Sequence, residues 1–206
     1  MSDQSWKQLL DEAEEAFENR DFVRAEVVCG KAMAAAEAVL DPADIGYSKI
    51  LTATARAYAG QGRDEEAEPL FVQATEKAAD VFGEAHHEVS RPMLAHAQFL
   101  LERKRYDESE SLFRQAFALR EKDFGDVHEE LIRPLLGWAA ILVVRNELSQ
   151  AQLLIGRAYD IAEAKLPADD PRYGQVVQHY VRLLRELGRT QVAGEILERA
   201  KARGLK

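Results

Sequence analysis

The sequence predicts an all-α protein, a right-handed α-solenoid of about five helix-turn-helix units. One pattern returns every 42 residues without insertion or deletion, beginning at Arg20, Gly62, Lys104, Asn146 and Gly188. Apolar residues make up 47% of the 206 residues, Gly and Pro are few, and no strand-like alternation interrupts the pattern. A fixed period of about 40 residues is typical of an array in which each unit buries its apolar face against its neighbours.

Each copy of the pattern contains a small, a large and a second small residue at spacings of three and four, which mark one face of a helix. In the second copy these are Ala67, Leu70 and Ala74. The equivalent residues are Ala25, Val28 and Ala32; Ser109, Leu112 and Ala116; Ala151, Leu154 and Ala158; and Ala193, Ile196 and Ala200. We expect them to form the inner face of the second helix of every unit.

Each period holds two helical patterns joined by a short polar turn, so we interpret residues 1–206 as a single array. Its units are expected at about 3–44, 45–86, 87–128, 129–170 and 171–206. In the first unit, Asp21 is expected to cap the second helix, which Pro42 ends near Val39. In the second unit, Pro69 lies early in a helix that Gly83 is expected to cap in a left-handed conformation.

The later units differ mainly in hydrophobicity. Pro92 suits the first turn of a helix in the third unit, because its missing amide needs no partner there. The first helix of the fourth unit, 135–144, is the most apolar and is expected to be buried by neighbours on both sides. The fifth unit ends with a helix carrying Ile196 and Leu197, which we expect to be partly exposed or covered by another subunit.

Charge and composition exclude several classes of function. With 27 basic and 36 acidic residues the net charge is −9, which argues against general nucleic-acid binding. No apolar stretch approaches the roughly 18 residues that a membrane span needs. The single cysteine, Cys29, cannot form an intramolecular disulfide, and the N-terminus has no basic segment followed by an apolar run. We therefore expect a cytoplasmic protein without membrane association.

The repeats resemble the tetratricopeptide repeat. The small residue late in the first helix (Ala55), the aromatic residue after it (Tyr58), and Ala67, Phe71 and Ala74 in the second helix carry the resemblance. The spacing, with GRDEEAEPL at 62–70 and FGEAH at 82–86, is similar to repeats of the kinesin light chain type. This resemblance implies a protein-binding array whose first helices line a concave groove. The paired Asn residues that often grip a peptide there are absent; TAT, LAH and LGW stand at 52–54, 94–96 and 136–138.

Within each predicted first helix, the outward stripe is the candidate binding site. One position of the repeat carries a cation in four successive units, and this basic row suits a protein or peptide partner with acidic character. The predicted groove residues are Lys7, Lys49, Thr52, Arg56, Arg91, Leu94, Gln98, Arg133, Leu136 and Arg182. Leu94 and Leu136 would be apolar seats beside the cations. Alternatively, the cations pair with carboxylates of neighbouring helices.

We find no catalytic constellation, cofactor-binding motif or metal-ligand set. His86 and His128 recur one period apart in interhelix loops, which favours turn packing over a shared metal ion. Cys29 occupies the position of Phe71 and Phe113, which indicates a buried apolar filler rather than a nucleophile. We therefore expect a protein that is not an enzyme.

Two functions remain open. The first is a non-catalytic adaptor that binds a peptide segment or partner protein in its groove. The second is a self-associating scaffold, such as a homodimer, which assembles through Ile196 and Leu197 or through its oppositely charged ends. Residues 1–44 carry 4 basic and 11 acidic groups, whereas residues 171–206 carry 8 basic and 3 acidic groups. The two ends therefore have net charges of −7 and +5.

Overall fold

The computed structural model describes residues 4–41 and 43–205, and these residues form ten α-helices and no strand. The helices are α1 (Gln4–Glu18), α2 (Phe22–Glu37), α3 (Gly46–Gly60), α4 (Asp64–Phe82), α5 (Ser90–Glu102), α6 (Tyr106–Phe124), α7 (Ile132–Val144), α8 (Leu148–Lys165), α9 (Pro171–Glu186) and α10 (Thr190–Arg203). Single 3₁₀ turns at His87–Val89 and Glu129–Leu131 precede α5 and α7. The predicted all-α class is confirmed.

The chain forms two compact units, one ending at Arg105 and the other beginning at Tyr106. In the first unit, α1 to α5 pack each against the next, and the first helices α1, α3 and α5 are also neighbours. In the second unit, α6 to α10 likewise pack in sequence, around a core supplied mainly by α7, α8, α9 and α10. The single continuous array remains a prediction.

The small-residue stripe of the second helices is buried as predicted. Its members have no exposed surface: Ala25, Ala32, Ala67, Ala74, Ser109, Ala116, Ala151, Ala158, Ala193 and Ala200. Small side chains at these positions allow the neighbouring helices to approach closely, which explains why alanine recurs there. Cys29 also has no exposed surface, and burial raises the pKa of its thiol to about 11. Its predicted role as a filler is confirmed.

The turn between the two helices of each repeat uses a left-handed residue at one fixed position. Gly62 and Gly188 have φ values of 77° and 72°, which glycine adopts without strain. Arg20, Lys104 and Asn146, at the same repeat position, have φ values of 56°, 60° and 61°. A side chain in this region costs about 1–2 kcal/mol, so helix packing maintains the turn where glycine is missing.

Most helix-end predictions are confirmed in position and differ in detail. Asp21 caps α2, since its side chain accepts a hydrogen bond of 3.0 Å from the Arg24 amide. The helix ends at Glu37, two residues earlier than expected, and Pro42 lies outside the described residues. Gly83 follows α4 with φ 85° and ψ 148°, so the expected positive φ is present but the left-handed helical ψ is not.

The expected partial exposure at the end of the chain was wrong for Ile196 and is seen for Leu197. Ile196 is only 7% exposed because it packs into the core of the second unit, whereas Leu197 packs against that core and stays half-buried. The chain reverses at Gly204, and Leu205 folds back to donate its amide to the Ala200 carbonyl at 3.0 Å. Leu205 packs against the same core. Ile196 therefore offers almost no exposed surface for apolar self-association, and only the accessible part of Leu197 remains.

Helix α7 also departs from the expectation of burial on both sides. It keeps an exposed edge that carries Arg133, Ala140 and Val144, and Val144 is 57% exposed. Most apolar side chains of this helix are therefore buried in the core, and the others remain exposed to solvent along one edge.

Inter-repeat ion pairs recur with the 42-residue period. Arg63 pairs with Glu26 at 2.9 Å, and one period later Arg105 pairs with Glu68 at 2.5 Å. In the second unit Glu110, at the same repeat position, accepts instead from Arg145 at 2.5 Å. Each pair joins the second helix of one repeat to the turn of the next, so these contacts hold adjacent repeats in register.

The pair between Arg103 and Asp64, at 2.6 Å, predicts a pH-dependent stability. The hydrogen bond from Arg103 holds the pKa of the Asp64 carboxyl below its usual value of about 4. A lowered pKa stabilises the fold above the ordinary pKa, and this stabilisation is lost as the pH falls through the folded-state pKa. We therefore expect Arg103→Met to lower the Tm at pH 6 and to flatten the decrease in Tm between pH 6 and pH 3.

Arg199→Met is the control for this measurement, since Arg199 is exposed and makes no ion pair with any described residue. Its Tm should fall with acid as steeply as that of the unchanged protein. Equal acid dependence in the Arg103→Met and Arg199→Met variants would show that the Asp64 pair contributes nothing.

Candidate functional site

In the first unit, helix α3 presents the predicted stripe on its most exposed side. Lys49 is exposed, and Thr52 and Arg56 are half-buried. Thr52 uses its hydroxyl within the helix, donating to the Ser48 carbonyl at 2.8 Å. Lys49 makes no ion pair with any residue of 4–41 or 43–205, so its ammonium group is available to a ligand.

Arg56 is engaged with the neighbouring first helix. Its guanidinium pairs with Glu14 of α1 at 2.5 Å and lies over the ring of Phe17, 4.0 Å from the centroid. Glu14 and Arg56 are one period apart, so equivalent positions of successive repeats lie side by side. For Arg56 the alternative interpretation, pairing with a neighbouring helix, is the one that the structure supports.

Helix α5 contributes a cation and a side-chain amide to the predicted site but no exposed apolar residue. Arg91 is exposed and contacts Glu88 at 3.1 Å, and Gln98 donates to Glu102 at 3.0 Å. Leu94 has no exposed surface, so the expectation that it lines an open groove was wrong. Arg91 and Gln98, on either side of Leu94 in the predicted stripe, are exposed, whereas the Leu94 side chain points into the packed interior.

Lys7 of α1 is exposed, and its ammonium group lies 5.2 Å from the centre of the Trp6 ring. Within the first unit, three neighbouring first helices therefore each present an exposed cation at the same repeat position: Lys7, Lys49 and Arg91. We call these three residues the cation row.

The second unit carries the remaining predicted residues on α7 and α9. Arg133 is exposed, and Leu136 is half-buried with one side packed into the core. Arg182 is exposed and donates to Nδ1 of His179 at 3.3 Å. Arg185, one turn beyond Arg182, is also exposed and was missed, although the spacing of three residues in the sequence is enough to place it on the same side of the helix.

The recurring histidines pack in turns, as predicted. Nδ1 of His86 accepts from the Glu88 amide at 3.2 Å, and the His86 ring stacks on Phe82 at 4.8 Å between centroids. His128 repeats both contacts, with the Glu130 amide at 3.3 Å and a stacked Phe124 at 4.5 Å. Each histidine thereby caps the 3₁₀ turn that leads into the next first helix.

The paired helices, the fixed period and the buried alanine stripe define an all-α helical-repeat protein. Two models of the tetratricopeptide repeat match the sequence, one over residues 50–88 and one over residues 88–164. Together they cover more than half of the chain, which therefore belongs to the tetratricopeptide repeat family. No curated protein that we compared matches the sequence.

Solved structures share the fold at low sequence identity. BtubC (BKLC) from P. vanneervenii has a TM-score of 0.76 at 19% identity, over 96% of this chain and 78% of that protein. A Podosopora anserina kinesin light chain-like protein with nearly identical TPR-like repeats has a TM-score of 0.73 at 19% identity, over 98% and 96%. These neighbours identify the fold as a helical-repeat solenoid of the kinesin light chain type.

A third neighbour is the Rap conjugation gene regulator of the plasmid pLS20, solved in complex with the Phr* peptide. Its TM-score is 0.74 at 16% identity, and the match covers 95% of this chain and 52% of the regulator. Among the described residues of the present chain, no helix is both long enough and apolar enough to cross a membrane.

Proposed function

We propose that the chain is a non-catalytic adaptor that binds an acidic segment of a partner protein along the exposed sides of its first helices. The observation that carries this proposal is the cation row of Lys7, Lys49 and Arg91. Packed helices lie about 8–10 Å apart, so the row would meet carboxylates distributed along one bound segment. Charge-assisted contacts to carboxylates are stronger than neutral hydrogen bonds, which favours an acidic ligand.

Arg133, at the same repeat position of α7, would extend this preference in the second unit. Leu136 beside it would offer a partly exposed apolar contact. The family supports the adaptor role, because tetratricopeptide repeats are in general a protein-interaction fold. The Rap regulator supports a peptide as one form of ligand, since it was solved with a peptide bound.

The test is a selection of displayed random peptides on the purified chain. We expect the selected peptides to be enriched in Asp and Glu relative to the starting library. Lys49→Glu with Arg91→Glu should weaken their binding at least tenfold, since two favourable contacts become repulsive, a change of more than about 1.4 kcal/mol. Fluorescence anisotropy with one selected peptide measures the change.

A matched control reverses two exposed cations on second helices, Lys31→Glu with Lys122→Glu. It changes the net charge equally and should leave peptide affinity within about a factor of three. Selected peptides without an acidic excess, or equal weakening by both pairs of substitutions, would contradict the proposal.

Self-association is a second candidate function, which one observation favours. The N-terminal 44 residues carry a net charge of −7, and residues 171–206 carry +5. Opposite charges on two surfaces of one chain attract a second copy at low ionic strength. Because Ile196 is buried and Leu197 is half-buried, this candidate depends mainly on charge.

A further inference from the structure

Helix α9 and the turn after it expose three arginines. Arg182 and Arg185 lie one turn apart on α9, and Arg189 follows the helix at the start of the next. None of the three forms an ion pair with a described residue, whereas Arg63 and Arg105, at the repeat position of Arg189, both do. The reason is visible in the sequence, because Gln152 replaces the carboxylate found at Glu26 and Glu68.

Helix α1 exposes the opposite charge. Its accessible acidic residues are Asp11, Glu14, Glu15 and Glu18. Glu14 is used by Arg56 at 2.5 Å, and Glu15 makes a loose contact of 3.5 Å with Arg24. Asp11 and Glu18 make no ion pair with any residue in the described ranges, so each has a carboxylate available to a partner.

The spacings on the two helices match. Glu15 and Glu18 are three residues apart on α1, and Arg182 and Arg185 are three residues apart on α9. Residues at this spacing lie on one side of a helix, about 5–6 Å apart. Two helices placed side by side in opposite directions would therefore form both ion pairs at once.

We propose that α1 of one copy docks on the α9 arginines of a second copy, so that the chain assembles head to tail. This inference rests on the self-association put forward above and assigns its two surfaces. The contact joins two different surfaces, so two copies can form it reciprocally in a dimer, or further copies can add through the same contact. Exposed ion pairs are individually weak, so the assembly forms at low ionic strength and high protein concentration.

Light scattering after gel filtration, across a series of protein concentrations, tests this assembly. At about 0.01 M salt, where charges act over about 30 Å, the average mass should rise with concentration to about twice 23.1 kDa or more. At about 1 M salt, where the range falls to about 3 Å, it should return to the monomer mass. A mass that stays at 23.1 kDa in low salt, or an assembly that persists at high salt, would overturn the proposal.

A charge-swap experiment identifies the two surfaces. The tail variant Arg182→Glu with Arg185→Glu and the head variant Glu15→Lys with Glu18→Lys should each be monomeric in low salt. An equal mixture of the two should assemble again, because the acidic tail of one variant then meets the basic head of the other. Two monomeric variants that do not assemble on mixing would contradict pairing between α1 and α9.

Lys165→Glu with Arg199→Glu is the matched control for the tail variant, since both residues are exposed in the second unit and the net charge changes equally. This control should assemble as the unchanged chain does. None of these substitutions touches the cation row, so peptide binding can be measured separately in every variant. Failure of assembly with intact peptide binding would reject this inference and the self-association on which it rests, and would leave the adaptor proposal standing.

Discussion

Gly137→Ala is expected to destabilise the protein by about 3 kcal/mol, because the added methyl group has no room. A Cβ atom on Gly137 of α7 would lie 2.2 Å from Cε1 of Phe113 on α6. Phe113 is 1% exposed, so its ring cannot move aside into solvent. The midpoint of urea unfolding should fall, and the Tm should drop by about 6–12 °C for a chain of this size.

Gly194→Ala is the matched control, because a Cβ atom on Gly194 of α10 would meet nothing within 4 Å. An exposed glycine inside a helix is unfavourable, so this change should stabilise the protein by about 0.5–1 kcal/mol. In the Gly137→Ala background, Phe113→Leu should recover part of the loss by replacing the ring with a smaller side chain. Stability unchanged by Gly137→Ala would mean that α6 and α7 are not as closely packed as described.

Glu163→Ala is expected to lower the free energy of unfolding by about 3 kcal/mol, because the Glu163 carboxylate interacts with three side chains in the second unit. Oε1 of Glu163 accepts hydrogen bonds from the hydroxyls of Tyr159, at 3.0 Å, and Tyr173, at 2.5 Å. Arg203 approaches Oε2 at 3.6 Å and also lies over the Tyr173 ring, 4.7 Å from its centroid. Tyr173 has no exposed surface, so loss of Glu163 leaves a buried hydroxyl donor without its acceptor.

A double-mutant cycle separates this effect from general loss of packing. Tyr173→Phe should be destabilising in the unchanged protein and nearly neutral, or stabilising, in the Glu163→Ala background, since it removes the stranded hydroxyl. Equal costs of Tyr173→Phe in both backgrounds would show that the hydrogen bond contributes little. Urea unfolding followed by circular dichroism provides all four free energies.

The same cluster predicts sensitivity to alkaline pH. Burial raises the pKa of the Tyr159 hydroxyl, and burial likewise raises that of Tyr173. A raised tyrosine pKa stabilises the fold below the unfolded-state value of about 10, and this contribution is lost as the pH rises further. Both hydroxyls therefore remain donors to Glu163 throughout the neutral range.

The fold could be predicted because the same pattern of buried residues occurs five times in the sequence. The stripe at Ala67, Leu70 and Ala74 specifies a helix face, and its recurrence specifies the neighbours against which that face packs. Residues outside the period carried no such signal. Glu163, Tyr173 and Arg203 come together only because α8, α9 and α10 pack against one another. No local spacing in the sequence therefore predicts that these three side chains are in contact.

The candidate site was predicted less completely, for physical reasons that differ between residues. The exposed cations Lys49 and Arg91 follow from helical periodicity alone. The burial of Leu94 depends on how closely neighbouring helices approach, which a single helical stripe does not specify. The ion pair between Arg56 and Glu14 could have been predicted from the sequence. The two residues are one period apart and have opposite charges, and the repeat places equivalent positions of successive units side by side.

The left-handed turn at Arg20, Gly62, Lys104, Asn146 and Gly188 has a consequence for how such a chain changes its length. The turn keeps one backbone conformation whether the residue is arginine, glycine, lysine or asparagine. Its conformation is therefore determined by its position in the repeat and not by the type of residue. Insertion or deletion of one whole 42-residue segment would keep the spacing between turns and the spacing between paired positions such as Glu26 and Arg63. A segment of any other length would misplace both, so we expect length variants of this array that fold to differ by complete repeats.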